Sequence, residues 1–320
     1  MIAPMVTLLS RTRGHRGVAV SLVALLATVL SACGSSATSS TSGAQPSGRH
    51  LNVVAGENMW GSIATQLGGA QITVRSVVTD PNADPHDYQS DPSAARAVAT
   101  ADYVILNGAG YDGWADRLLS ANPNGRRRVM TIADILGKKE GDNPHFWYSP
   151  DDVTRIADRI SSDLKSLDTA DADYLTAQRR AFTAALVPYT SRVAAIHAKF
   201  AGRRIAATET IFAYMASALG LEVVSPPEFM KAVAEGNDPP ADSVAAFEQA
   251  IQTRVASVLV YNVQTSTDVT NTIKQMATQN GIPVVAVSET LQPPDATFQD
   301  WQLGQLNALY NALNADTLAK

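Results

Sequence analysis

From residue 50 onward the chain alternates between short apolar runs and longer stretches of helical periodicity. The runs 50-HLNVVAG-56, 72-ITVRSVVT-79, 103-YVILNG-108 and 127-RRVMTIADI-135 read as strands. Helices are expected between them, over 57–68 and over 91-DPSAARAVATAD-102, where Asp91 is the cap and Pro92 takes the first position. The segment 80-DPNADPHDYQ-89 has no periodicity and three turn-forming residue types, so it is a loop. Strands that alternate with helices this way must return in the same direction. They build a parallel sheet covered on both faces.

The texture changes near residue 151. A helix is expected over 151–168. From about 170 to 200 the chain carries no glycine, and Pro188 is the single interruption. Phe182, Leu186, Tyr189, Val193, Ile196 and Phe200 recur at spacings of four and three, which is one face of a long helix. About thirty helical residues span roughly 45 Å, longer than one small lobe needs, and Pro188 is the place to expect a kink. Alternation then resumes, with strands at 203-RRIAATE-209, 221-LEVVS-225, 256-ASVLVYN-262 and 282-IPVVAVSE-289, and a last helix over 297–318. The expected fold is α/β. Two Rossmann-like lobes with parallel sheets, 50–168 and 203–320, are joined by one long backbone helix over 169–202.

The first 49 residues belong to neither lobe. Arg11, Arg13 and Arg16 precede the apolar run 18-VAVSLVALLATVL-30, which has the length of a signal-peptide core and is short for a membrane span. The run ends in 30-LSAC-33, small residues before the one cysteine of the chain. That resembles a bacterial lipobox, with residues 1–32 removed and Cys33 lipidated. Residues 33–49 are rich in Gly, Ser and Thr and read as a flexible tether. The expected location is therefore outside the cytoplasm, on a lipid anchor at the membrane. Losing the three arginines from a balance of 25 basic and 30 acidic side chains leaves a net charge of −8. An acidic surface argues against nucleic acid as a partner.

Ligands of open parallel sheets sit at the carboxyl ends of the strands. Four polar residues fall there: His86 after the second strand, His145 after the fourth, Glu209 ending the first strand of the second lobe, and Glu289 ending the last. Of the other histidines, His15 lies in the signal segment, His50 at the tether and His197 on the long helix. Two neutral imidazoles and two carboxylates around a divalent cation sum to zero charge, and a neutral set is cheap to bury. Mixed nitrogen and oxygen donors suit manganese, iron or zinc and not magnesium or calcium.

At these residues the chain resembles the metal-binding substrate-binding proteins of ABC transporters, the zinc/manganese cluster. The resemblance covers nearly all of the mature chain. It is carried by 85-PHDYQSDPSAARAVATADYVILNGAGYDGW-114, 143-NPHFWYSPDDV-153 and 208-TETIFAYMASALGL-221. It implies metal ligation by His86, His145 and Glu209, with Glu289 where the family usually has aspartate. It also implies a metal cleft between two lobes that close little, a membrane permease as partner and a monomeric receptor. Zinc-type members often carry histidine at the position of Glu209, and many carry a histidine-rich loop that is absent here. Both departures lean toward Mn2+ or Fe2+ over Zn2+ as cargo. The segment 225-SPPEFMKAVAEGNDPPADS-243 reads as a solvated loop, and Glu228, Glu235 and Asp238 within it could compete as ligands.

Three other readings stay open. Residues 108-GAGYDG-113 fit G-x-G-x-x-G after a strand, the pattern of a dinucleotide site. In the resembled family this stretch is a structural loop with Trp114 packing beneath the cleft. The same histidines could serve an exported metallohydrolase if one coordination position stays open for water. Some family members are also described as adhesins.

Overall fold

The computed structural model describes residues 48–82 and 85–318. Cys33 and the signal and tether expectations lie outside the described residues, apart from the end of the tether at 48–49. The first lobe contains β1 (Leu51–Glu57), α1 (Asn58–Gly68), β2 (Ile72–Val78), α2 (Pro92–Thr100), β3 (Tyr103–Leu106), α3 (Trp114–Ala121), β4 (Arg128–Thr131), α4 (Ile132–Leu136) and α5 (Pro150–Leu167). Two helices follow, α6 (Ala172–Ala185) and α7 (Val187–Phe200). The second lobe contains β5 (Arg204–Ala207), α8 (Ala213–Ala218), β6 (Glu222–Val223), α9 (Pro227–Ala234), α10 (Ala241–Gln252), β7 (Leu259–Asn262), α11 (Asp268–Gln279), β8 (Val284–Val287) and α12 (Phe298–Leu318).

The two sheets have the same topology. Their orders are β2-β1-β3-β4 and β6-β5-β7-β8, and every pairing is parallel. In each, the order reverses beside the first strand, between β1 and β3 and between β5 and β7. Such a reversal leaves a crevice at the carboxyl ends of the strands.

The pleat sorts strand residues to two sides. On β1 and β3, Val53, Ala55, Tyr103 and Ile105 face the main core, while Val54, Val104 and Leu106 face a smaller cluster under α2 and α3. On the second sheet, Ile205, Ala207, Val260 and Val285 join the same main core, and Ala206 and Leu259 turn to a cluster under α9, α10 and α11. One core thus runs through both lobes, with Phe182, Tyr189, Ile196 and Phe200 of the linking segment and Phe298, Trp301 and Leu309 of α12 in it. Apolar area shared this way ties the lobes together, since hinging them apart would expose it.

The linking helix is broken for one residue. Leu186 separates α6 from α7. Pro188 has no N–H for Ala184 and its ring crowds that carbonyl, so the ladder skips a rung there. The backbone bonds Leu186 N→Phe182 O (3.0 Å) and Thr190 N→Leu186 O (2.9 Å) carry the helix past the break.

Three local expectations are corrected. The strand read over 127–135 stops at Thr131, and Ile132–Leu136 is a helical turn closed by Gly137 in the left-handed region. The segment 225–243 is not all loop, because α9 buries Phe229 and Val233 against the second lobe. Trp114 does not lie beneath the cleft. It points to the outer cluster, where its ring meets Tyr88 edge-on at 5.2 Å.

Candidate metal centre

The turn 143-NPHFWYSP-150 shows how local sequence places a side chain. Phe146–Tyr148 form one turn of 3-10 helix, and Ser149 caps α5 by accepting from Asp152 N at 3.3 Å, with Pro150 at the first position. Phe146, Trp147 and Tyr148 are buried together in the main core. The turn is therefore fixed, and His145 at its start is fully buried. Asn143 Oδ1 lies 2.6 Å from His145 Nδ1 and 3.1 Å from its backbone N. An amide oxygen only accepts, so Nδ1 carries the proton and the Nε2 lone pair faces the cleft.

His86 enters from the short 3-10 turn Pro85–Asp87 after β2. Glu289 lies two residues beyond β8, and its backbone N donates to Gln264 Oε1 at 2.7 Å. Glu289 Oε2 stands 3.5 Å from His86 Nε2 and 3.7 Å from His145 Nε2. One donor atom from each of His86, His145 and Glu289 lies within 4.8 Å of the others, and among the described residues no other trio of such side chains does so. Three loops from two lobes converge here. His145 Nε2 is buried with no hydrogen-bond partner, a costly state for a polar atom that nothing else uses.

Glu209 follows β5 and is also buried. It lies outside the 4.8 Å group but is tied to it through one residue. Asn262, the last residue of β7, donates from Nδ2 to Glu209 Oε1 and to Glu289 Oε1, both at 2.8 Å. The competing carboxylates are elsewhere. Glu228, Glu235 and Asp238 are exposed, and Glu235 is paired with Lys231.

Electrostatics favour neutral imidazole beside ionised carboxylate. Burial pushes His145 below its ordinary value; Glu289 acts against this and His86 adds to it. Burial alone would raise Glu289, but the His145 contact, the charges of His86 and His145 and the Tyr111 hydroxyl together hold it at about 2. The ionised state of Glu289 stands independently, because Tyr111 O–H donates to Oε2 at 2.6 Å and Asn262 N–H to Oε1 whatever the histidines carry.

Tyr111, Asn143 and Asn262 were not among the sequence candidates. Tyr111 sits inside the glycine pattern 108–113, and the structure explains that pattern without a nucleotide. Gly108 has φ +75°, and a Cβ there would come 2.5 Å from Thr131 Cγ2 and 2.9 Å from Ala133 Cβ. The amides that a phosphate would need already serve Asp112, which accepts from Asn107 N at 2.6 Å and Gly108 N at 2.9 Å. Tyr111 is then presented between the imidazoles. Its ring meets His86 edge-on at 4.6 Å and Trp147 at 5.2 Å, so Trp147, not Trp114, floors the cleft.

Further contacts brace the lobes across the cleft. Asn143 Nδ2 donates to Thr210 O at 2.8 Å, and Tyr214 O–H donates to Asn143 O at 2.9 Å. The Tyr148 hydroxyl oxygen lies 2.8 Å from both Ser288 O and Gln305 Oε1 of α12, and its one proton is shared between these two acceptors. Above the site a cavity of about 600 Å³ opens, lined by His86, Tyr111, Asn143, Thr210, Met230 and Lys231 among others. The His86 side chain is 22% exposed, and those of His145 and Glu289 are closed to solvent. The site is therefore approached from the His86 side.

Comparison with known proteins bears on this arrangement. The chain is 26% identical over 164 residues to the manganese-binding lipoprotein MntA of Halalkalibacterium halodurans, which covers 50% of this chain and 53% of that one. It is 27% identical over 172 residues to the iron-binding protein YfeA of Yersinia pestis, covering 51% and 54%. The matches span about half the length of these curated relatives. The solved structure of FpvC from Pseudomonas aeruginosa with Mn2+ superposes with a TM-score of 0.68 at 19% identity, over 83% of this chain and 99% of that chain, which speaks for the fold. The family model described as zinc-uptake complex component A, periplasmic, matches residues 53–312. By the extent of that match, the chain belongs to this family.

Proposed function

We propose that this protein is the substrate-binding lipoprotein of an ABC transporter. It captures a divalent transition metal, Mn2+, Zn2+ or Fe2+, outside the cytoplasm and delivers it to a membrane permease. One observation carries the reading: His86, His145 and Glu289 converge from both lobes, with a buried imidazole nitrogen that lacks any other partner. The metal is cargo. His86 and His145 supply nitrogen and Glu209 and Glu289 supply oxygen, so the loaded set is neutral and stable when buried. The names of the relatives, manganese-binding and iron-binding, support a transition metal. The chain is organised as a signal peptide over 1–32, a lipid on Cys33 with a tether to 49, lobes over 50–168 and 203–320 and a linking segment over 169–202. It works as a monomer on that anchor.

The shared core and cross-lobe hydrogen bonds favour small motions, so release depends on the loop that carries His86 and on the permease. A metallohydrolase at the same histidines gains no support, since on this reading both nearby carboxylates serve as ligands and leave no open position for water. The protein is not an enzyme on this reading.

Thermal unfolding of chelator-stripped protein tests it, with zinc, manganese and magnesium added separately. Metal at a hundredfold its dissociation constant adds about 2.7 kcal/mol. A rise with zinc or manganese and none with magnesium is expected, and it is lost in His86→Ala and in His145→Ala. No rise with any metal overturns the reading.

A further inference from the structure

We propose that Asn262 sets the metal preference of this site, because its single amide nitrogen holds one oxygen of each carboxylate and so limits Glu209 and Glu289 to one donor apiece. This rests on the metal-site reading above and deepens it. A primary amide has two N–H bonds, and here one goes to Glu209 Oε1 and the other to Glu289 Oε1 at equal lengths of 2.8 Å. The amide cannot turn away. Its Oδ1 accepts from Gln264 N at 3.0 Å, and the backbone N of Asn262 donates to Thr208 Oγ1 at 3.2 Å. Gln264 in turn holds the backbone of Glu289 and Thr290 through Oε1, at 2.7 and 3.1 Å. The residue is buried, so no water replaces a lost amide contact cheaply.

The consequence is a coordination number. Glu289 already turns Oε2 toward both imidazoles while Oε1 stays on the amide. An oxygen that accepts a hydrogen bond can still ligate, as Glu289 Oε2 does while it accepts from Tyr111, so the limit is one of position. To chelate through both oxygens, either carboxylate must swing its Oε1 toward the metal and strain its bond to an amide that is itself held in place. Two imidazoles and two single oxygens make four donors, the tetrahedral set that zinc accepts. Manganese and iron are better served by five or six donors, which bidentate carboxylates would provide. Asn262 thus tilts a site with two carboxylates toward zinc, against the lean that its ligand types alone suggest.

The test uses cobalt(II) as a reporter, because four-coordinate cobalt absorbs visible light far more strongly than six-coordinate cobalt. Parent protein loaded with cobalt should show the intense four-coordinate spectrum. In Asn262→Leu, which keeps the branching of the side chain but has no N–H, the band should weaken. The ratio of manganese to zinc dissociation constants, from chelator competition, should fall about tenfold. Asn262→Ser serves as a smaller second variant. If the parent binds metal but gives a six-coordinate cobalt spectrum, the proposal is overturned, and that measurement needs no variant. It is also overturned if both variants weaken zinc and manganese equally and keep the parent spectrum, since that is the mark of a merely structural residue. Failure of the parent to bind any metal would instead strike the metal-site reading itself.

Discussion

Tyr111 O–H donates to Glu289 Oε2 at 2.6 Å, so the glycine-rich loop of the first lobe reaches the last strand-end of the second. The oxygen it touches is the one that faces both imidazoles. The contact holds that carboxylate in place and keeps it ionised before any metal arrives. It also spans the cleft, so it links loop position to ligand geometry.

Removing the hydroxyl while keeping the ring isolates this effect. Hydrogen bonds to charged groups contribute about 1.5–3 kcal/mol. Tyr111→Phe should weaken zinc binding by up to roughly a hundredfold and should also lower the melting temperature of the metal-free protein by a few degrees, since the bond is already made there. Chelator competition reads the first quantity and calorimetry the second. Unchanged affinity would mean that Glu289 is positioned by Asn262 and Gln264 alone.

Asn143 acts on His145 from the other side. With its side-chain oxygen on Nδ1, the ring is locked with Nε2 toward the cleft. Partners of this kind, one shell out from the metal, contribute about tenfold to a hundredfold in affinity. Asn143→Ala should lose that much, whereas Asn143→Asp, which keeps the acceptor, should retain most of it. Equal losses in both would show that the bond to Thr210 O, which the aspartate cannot make, is what matters.

Much of this was legible in the chain, for physical reasons. Strand and helix patterns follow from burial on both faces of a sheet, so the two lobes and their order could be read. His86, His145, Glu209 and Glu289 stood out because charged or ligating residues at the ends of apolar strands have few other uses. Asn262 ends its strand in the same way, yet an amide is a poor metal donor, and a search for donors passes over it. Tyr111 was hidden by glycines whose spacing mimics a phosphate loop; only the space around Gly108 and the carboxylate of Asp112 reveal their purpose. Trp114 and Trp147 differ in which side of the sheet they serve, and composition carries no record of that. The end of β4 was overread because Ile132 and Ile135 extend the apolar run after the backbone has already turned.

Acid should act on the metal-free protein through His145. Burial lowers its value below the ordinary 6.5, and Glu289 is held at about 2 against 4.5. Both groups bind protons more weakly folded than unfolded. Their stabilising contribution is complete above the unfolded values and drains as pH falls, first from about 6.5 for His145 and then from about 4.5 toward 2 for Glu289. The stability gap between parent and His145→Gln should therefore shrink between pH 7.5 and 5.5 in urea titrations. Zinc affinity should fall with it as protons compete for the ligand nitrogen. A gap that stays constant would mean that the imidazole titrates alike in the folded and unfolded chain, and a gap that widens as pH falls would place an ionised imidazole in the folded state.

Glu57 should behave in the opposite sense. It ends β1 fully buried, and burial first, then the charge of Asp112, push its carboxyl well above the ordinary value. The folded chain keeps a proton there that the unfolded chain releases above about 4.5. Each further pH unit, up to the folded value, then costs about 1.36 kcal/mol of stability. Glutamine has the shape of the neutral acid and no proton to lose. Glu57→Gln should match the parent in urea unfolding near pH 4.5 and exceed it increasingly toward pH 8. If the variant is instead less stable by the same amount at every pH, the carboxylate is ionised in the folded protein and has found a partner that glutamine cannot replace.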